Sequence, residues 1–461
     1  MDPQFLTTPR HAVAVIGGAC SGAECAEILA QSGCYVVVID QNARPFGKIE
    51  DGLPRWHAKQ RSQEYVKIAA KLAKPGVDFL PKTAIGRDLT LGDLRSWGFS
   101  AVVLACGAWR DRPVGVPGAD QAVGKGLVYQ NPFIYWFNHH EEKTYDGARY
   151  RPVDGAVVIG GGLASIDCVK ALMLETVAEK LRARGDHHVD VLHMEHEGVA
   201  KSLQSRNLTL GDLGLKGCTL LYRRSAREMP IAAFKDGADE ASRQNTMNVR
   251  EKLMKIVQDK FLCGFRGNVV PKEIVTGPDG NVCGLRVVQS RTEGKKVVEV
   301  PGTEEVIPTT MIVSSIGSIP EPIPGLPVKG EFYDFADWDL GRFTGMPELF
   351  GVGNVVTGQG NIAISRRHAK VVSDAMVARY LGVGDDPLDG RFDGSVGAPA
   401  AAEARGADAA EAVQNHIAKL APLPPSKLAD LRGRIAARQR ELGYGGDLAA
   451  WIASVTPPDR I

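Results

Sequence analysis

An unbroken apolar run, Ala12 to Ile16, gives way to small residues, then to a helix-period stretch, Ala23 to Gln31, that stops at Gly33, and then to a second apolar run, Tyr35 to Ile39. Short apolar runs bounded by turn residues are the pattern of strands buried on both faces, and joined by a helix they predict a parallel β-α-β unit. The pattern returns at Ala156: Val157 to Ile159 form a run, Gly160-Gly161-Gly162 a turn, and the residues from about Ala164 to Leu181 a helix. The two units lie far apart and the intervening sequence differs in character, so this is a tandem of two nucleotide-type folds and not a short-period repeat.

Further strands are predicted at Thr219 to Tyr222, Val269 to Val275 and Gly284 to Ser290, the last two as an antiparallel layer, with a charged turn from Arg291 to Lys296. Between Arg182 and Gly217 lies a polar insertion carrying His187, His188, His193 and His196. These imidazoles lack the helical i, i+4 spacing with a carboxylate that a zinc site uses, and they read as solvated surface; no metal site is expected. From about Gly382 to Ser426 the sequence turns to Ala, Gly, Pro and Asp, a linker composition. Helical spacing resumes at Lys427 to Ala453, in Leu428, Leu431, Ile435 and Leu442 and then Leu448, Trp451 and Ile452, predicting a helical tail that docks on its own body or on a partner.

The chain has 461 residues, enough for two or three domains, and 52 of them are glycine, a surplus over the usual share of about 7%. Lys and Arg number 55 against 54 Asp and Glu, leaving a net charge of +1 that supplies no field for a polyanion, so nucleic acid is not an expected partner. The eight cysteines form no C-x-x-C pair, which argues against a redox dithiol, a zinc ribbon or cluster ligands and for reduced, structural thiols. No apolar run is long enough to span a membrane and no signal-peptide pattern opens the chain, so a cytoplasmic protein is expected; Met1 to Leu6 has the look of a cloning leader and is given no role.

Chemistry enters at the glycines. Gly17-Gly18-Ala19-Cys20-Ser21-Gly22 follows the first strand, and Asp40 ends the next. Such a turn brings backbone N–H groups and a helix N-terminus onto a pyrophosphate, and an acid about 20 residues on takes the ribose hydroxyls. Ala19 replaces the second glycine of the usual fingerprint. The second turn, Gly160-Gly161-Gly162-Leu163-Ala164-Ser165, repeats the arrangement with a small Ser at its third position. At the end of the strand from Leu220 to Tyr222 stand Arg223 and Arg224, a guanidinium pair suited to an adenosine 2′-phosphate and hence to NADPH over NADH. Two dinucleotide folds imply two dinucleotides, with FAD on the first and a transient NADPH or NADH on the second as the economical pair.

On these motifs the chain resembles the two-dinucleotide flavoprotein reductases, in particular the adrenodoxin reductase-like ferredoxin–NADP reductases, with kinship to the glutamate synthase small subunit. The resemblance covers roughly Ala12 to Tyr380. Arg44-Pro45-Phe46-Gly47 and Gly52 with His57 match the flavin-side loop, and the resemblance gives His57 a place near the flavin ring. Ile85-Gly86-Arg87-Asp88 matches the segment whose backbone meets the adenine of FAD. Ala101 to Ala108, including Gly107, with Val116-Pro117-Gly118, matches the crossover to the NADP domain. Tyr222-Arg223-Arg224 with Glu228-Met229-Pro230 is similar to the glutamate-synthase-like NADP loop. Ile316-Gly317 and Gly351-Val352-Gly353-Asn354 mark the return, with Asn354 where relatives have Trp or Asp, and Gly360-Asn361-Ile362 is expected beside the flavin.

The resemblance implies an α/β protein of two Rossmann-like domains: an FAD domain split over 11–118 and 326–381, an inserted NAD(P) domain at 119–325, then the linker (382–426) and tail (427–461). FAD would be held by Gly17, Ala19, Gly22, Asp40, Gly47, Ile85, Gly107, Gly353, Asn354, Gly360, Asn361 and Ile362, and NAD(P) by Gly160, Gly161, Gly162, Leu163, Ala164, Arg223 and Arg224. It further implies an oxidoreductase that moves electrons between NAD(P)H and an iron–sulfur protein such as a ferredoxin. The alternative is the flavin subunit of a larger iron–sulfur multienzyme, reached through the tail. A disulfide reductase would need a nearby dithiol, which the sequence lacks.

Overall fold

A computed structural model describes residues 9–235, 237–383 and 422–460, so the leader and most of the 382–426 stretch lie outside the described residues. The described residues fold as two compact units, one within 9–50, 59–110, 319–383 and 422–460, the other within 51–58, 111–235 and 237–318.

In the first unit a seven-stranded sheet runs in the order Phe335–Asp337, Arg342–Phe343, Met346–Gly351, Ala101–Leu104, Ala12–Ile16, Tyr35–Ile39, Val77–Leu80. The last five strands are parallel, in registers such as Val15 with Val38 and Val15 with Val103. Strand alternation splits the core in two. Val13, Val15, Val36 and Val38 point to one face, with Ala26 and Leu29 of helix Cys20–Gln31 and Ala369 and Val372 of helix Ile362–Ala375. Ala14, Ile16, Val37 and Ile39 point to the other, which is covered by Leu428, Leu431 and Ile435 of helix Pro425–Glu441. A parallel sheet must be covered on both faces, and the tail supplies part of the second cover. Its first helix therefore docks on its own body. Leu431 is fully buried there, so Leu431→Ala is expected to cost about 2–5 kcal/mol, seen as a lower urea midpoint for the first unit.

The second unit holds a parallel five-stranded sheet, Leu127–Tyr129, Ile312–Ser315, Val157–Gly160, Thr219–Leu221, Gly264–Arg266. Helix Leu163–Ala183 lies on one face; Val269, Ile274, Leu285 and Val287, from the antiparallel layer Val269–Thr276 and Val282–Glu293, cover the other. Two details differ from the sequence reading. The expected charged turn is largely strand: Val282–Glu293 runs on through Arg291 and pairs with Lys296–Glu299, its charges alternating outward. The polar insertion hides two short helices, Val191–Glu197 and Val199–Gln204, that place Val191, Met194, Val199 and Leu203 in the core. Its four histidines are exposed, and among the described residues no cluster of three or more His, Cys, Asp or Glu could hold a metal ion.

In the first sheet the chain enters at the inner strand Ala12–Ile16, runs out to Val77–Leu80 and returns to its other side. In the second it enters at the edge strand Leu127–Tyr129, runs from Val157–Gly160 out to Gly264–Arg266 and returns to insert Ile312–Ser315, so the strand order reverses beside Ala12–Ile16 and beside Val157–Gly160. Ligands of such sheets bind outside the strand carboxyl ends at this switch point, and both glycine turns stand there.

Candidate dinucleotide sites

Backbone packing dictates the first turn. Gly17 sits at φ +101°, its N–H donating to the Ile39 carbonyl at 2.7 Å, and a methyl there would lie 2.7 Å from the Ala105 carbonyl oxygen. A methyl on Gly22 would lie 1.8 Å from the Gly17 carbonyl oxygen. Helix Cys20–Gln31 therefore begins tight against the strand end, with no side-chain cap and no acid in its first turn. An uncapped helix N-terminus leaves N–H groups and the positive end of the dipole for an anion. Ala19 is accommodated by Gly47, whose missing side chain leaves room for the Ala19 methyl: a methyl on Gly47 would come within 3.0 Å of it. The departure from the glycine fingerprint is thus offset by a glycine 28 positions later, a pairing that spacing rules do not reveal.

Asp40 is buried and tied into this turn. Its Oδ2 accepts from the Gly18 N–H at 2.8 Å and its Oδ1 from the Asn42 N–H at 2.9 Å. These bonds fix the carboxylate at the turn, the place where an acid takes ribose hydroxyls in dinucleotide folds. Gly353 closes the other side of the helix start, since a methyl there would meet Ser21 Oγ at 2.5 Å. The next residue, Asn354, carries a buried side-chain oxygen with no hydrogen-bond partner among the described residues, an acceptor that asks for a donor. Ile85 lies in a tight loop fastened by Gly86 N–H to the Leu89 carbonyl at 2.7 Å and Ala84 N–H to Asp88 Oδ2 at 2.8 Å. Gly107 faces open space.

Gly360 likewise has room beside it, whereas the Asn361 side chain is committed to its own helix, accepting from Ala363 and Ile364 N–H at 2.9 and 3.2 Å. Ile362 packs on the core. From these two residues the backbone and the Asn361 amide nitrogen are left for a ligand.

In the second unit Gly160 lies against the Ser315 carbonyl and Gly161 under the Tyr222 ring, where a methyl would meet Cε2 at 2.1 Å. Gly162 opens helix Leu163–Ala183, again with no side-chain cap and no acid in its first turn. Leu163 is 61% exposed at that helix start, and Ala164 follows it. The arginine pair divides. Arg224 donates to the Lys295 carbonyl at 2.7 Å and lies 3.7 Å from Glu228, while the exposed Arg223 guanidinium makes no hydrogen bond or ion pair among the described residues. Sequence spacing treats the two alike; the Ser225–Glu228 capping box that holds Glu228 beside Arg224 separates them.

His57 falls in the segment 51–58, which belongs to the second unit. That segment is held by helix Gln130–His139: Asn138 accepts from the Arg55 N–H at 2.9 Å and its amide nitrogen donates to the Asp51 and Leu53 carbonyls. His57 Nε2 stands 4.0 Å from Asp167 Oδ1 on helix Leu163–Ala183, a neighbour the sequence reading missed because 110 positions separate them. Burial pushes the Cys20 thiol up to about 11 and Cys25, Cys34 and Cys106 up to about 12, so none of these is an activated nucleophile.

Each sheet delivers an uncapped helix N-terminus through a glycine turn at its switch point, the arrangement of a dinucleotide-binding fold. Residues 11–205 match the family model described as pyridine nucleotide-disulphide oxidoreductase. The chain is 27% identical over 322 residues to the NADPH-Fe(3+) oxidoreductase subunit beta of Geobacter sulfurreducens, covering 67% of this chain and 37% of that one. It is 24% identical to the NADPH-ferredoxin reductase FprA of Mycobacterium leprae, covering 81% and 85%. The structure of Mycobacterium tuberculosis FprA in complex with NADPH superposes with a TM-score of 0.63 at 20% identity, covering 94% of this chain and 91% of that one, and shares the fold. Over residues 11–205 the chain is similar to the pyridine nucleotide-disulphide oxidoreductases. It spans just over a third of the length of the Geobacter relative.

Proposed function

We propose that this chain is an FAD-dependent NAD(P)H oxidoreductase that exchanges electrons between a pyridine nucleotide and an iron–sulfur protein of ferredoxin type. The observation that carries the reading is the paired cradle: Gly17, Gly22 and Gly353 packed around one uncapped helix start, and Gly160 to Gly162 at another. The buried Asn354 oxygen fits the same reading, because a flavin ring carries an N–H donor. When bound, the flavin accepts a hydride from the nicotinamide and releases electrons one at a time.

The residues bind and orient. Gly17, Ala19, Gly22 and Gly47 shape the FAD pyrophosphate cradle and Asp40 takes its ribose. Ile85 and Gly107 lie along the adenosine and ring sides. Gly353, Asn354 and the Gly360 to Ile362 backbone border the ring. Gly160 to Ala164 receive the pyridine nucleotide phosphates, Arg223 the 2′-phosphate, and Arg224 holds the loop that carries Arg223. His57, beside Asp167, serves the redox end. Its replacement, His57→Gln, is expected to slow delivery to the acceptor by about tenfold or more with FAD content unchanged, read as turnover with ferredoxin against flavin absorbance.

A named subunit among the relatives favours a second reading, the flavin subunit of a larger iron–sulfur assembly. The tail's buried apolar residues are already engaged by the first unit, so a partner would meet its polar outer face. Free cysteines support a cytoplasmic setting, and among the described residues no helix is long and apolar enough to cross a membrane. Parallel stopped-flow reduction of the purified protein by NADPH and NADH, followed by anaerobic transfer to a ferredoxin, tests the main reading. Protein that carries no flavin, or a flavin neither coenzyme reduces, overturns it.

A further inference from the structure

The chain after Pro424 passes around the edge of the first unit's sheet. Helix Pro425–Glu441 lies on one face, Gln439 donates from Nε2 to the Phe79 carbonyl of the edge strand at 2.9 Å, and Tyr444 meets the Phe79 ring edge-on at 5.9 Å. Helix Leu448–Val455 then packs Leu448 and Trp451 into the opposite face. From there two contacts reach the loop of residues 43–50. Trp451 donates from Nε1 to the Ala43 carbonyl at 2.7 Å. Arg460 pairs with Glu50 at 2.6 Å, on the same carboxylate oxygen that takes Arg44 at 2.5 Å. Between these anchors the loop sets Pro45 against Gly18, where a methyl on the glycine would meet Pro45 Cβ at 2.7 Å, and Gly47 against Ala19.

We propose that residues 444–460 form a strap that holds the 43–50 loop closed over the FAD pyrophosphate cradle, with Trp451 and Arg460 as its two positioning residues. The inference rests on the FAD reading of the first unit. The strap acts because the Ala43 carbonyl and the Glu50 carboxylate are fixed by groups outside the loop, so the loop is ordered before the ligand arrives and the ligand does not bear that ordering cost. Trp451→Phe keeps the ring and removes the N–H; Arg460→Ala removes the charge; Arg460→Lys keeps it.

FAD stripped from the purified chain and titrated back, followed by flavin fluorescence, reads the effect. Trp451→Phe is expected to weaken FAD about threefold to tenfold, as the loss of a neutral hydrogen bond would, and Arg460→Ala about tenfold or more, as the loss of a charge-assisted one would. Arg460→Lys should restore most of the affinity, and NADPH binding to the second unit should stay at the parental value in all three. If the parent holds FAD and both Trp451→Phe and Arg460→Ala bind it with the parental dissociation constant, the strap is overturned, whatever their melting temperatures. If the parent itself holds no FAD, the reading beneath it is overturned as well.

Discussion

Gly22→Ala is expected to yield a colourless protein that still binds NADPH. The added methyl would lie 1.8 Å from the Gly17 carbonyl oxygen and 2.9 Å from its carbon. Gly17 cannot retreat, because its N–H is bonded to Ile39 and its own Cα faces the Ala105 carbonyl. The helix start must lift instead, and with it the uncapped N–H groups of the first turn. Overpacking of this kind costs about 1–3 kcal/mol in a core; with the phosphate donors displaced as well, FAD affinity should fall on the order of a hundredfold or more. Ala19→Gly is the matched control. It restores the glycine fingerprint and removes a methyl that Gly47 already accommodates, so FAD affinity should stay within about threefold of the parent. Flavin absorbance per protein after gel filtration, with NADPH binding measured alongside, decides the matter. Stoichiometric FAD in Gly22→Ala would remove the first turn from the cofactor site.

The same contacts show why part of this architecture was legible in the sequence and part was not. The two β-α-β units were legible because a strand buried on both faces must be apolar throughout and a backbone that touches phosphate must lack side chains. Both demands are local, and Ala12 to Ile39 and Val157 to Leu181 state them in consecutive residues. What escaped was long-range. The Ala19 and Gly47 exchange, the Asp167 beside His57 and the Trp451 N–H on Ala43 each join residues whose relation exists only after folding. The short helices at Val191 and Val199 escaped for a different reason: each is too short and carries too few apolar residues to stand out from the polar positions around it, and both are held by the core they touch. The resemblance expects Asn361 beside the flavin through its backbone N–H, and its side-chain oxygen is spent as a helix cap, a role that spacing does not reveal. The tail was legible as helix but not as cover, since its leucines fit equally a partner or the sheet face they occupy.

Arg223→Ala is expected to weaken NADPH by about tenfold to a hundredfold and to leave NADH within about twofold, the span a charge-assisted bond to one phosphate supplies. The structure makes the two arginines unequal. Arg224 is engaged by the Lys295 carbonyl and by Glu228, itself bound to Ser225 Oγ at 2.8 Å. Arg223 is exposed with its guanidinium unpaired among the described residues, on the same strand end whose Tyr222 ring covers Gly161. A 2′-phosphate arriving there finds one cation available and one already committed. Arg224→Ala should therefore act through loop position, weakening both coenzymes alike and by less, because it loosens the turn without removing a phosphate donor. The Arg223 effect should also shrink as salt is raised from 0.05 to about 0.5 M, since an exposed ion pair is screened within a Debye length of about 10 Å at 0.1 M. Stopped-flow dissociation constants for both coenzymes, across that salt range and for both single variants, test this directly. Equal losses of NADPH and NADH in Arg223→Ala would move the phosphate site elsewhere, whereas a larger NADPH-selective loss in Arg224→Ala would mean that Arg224 exchanges Glu228 for the phosphate on binding.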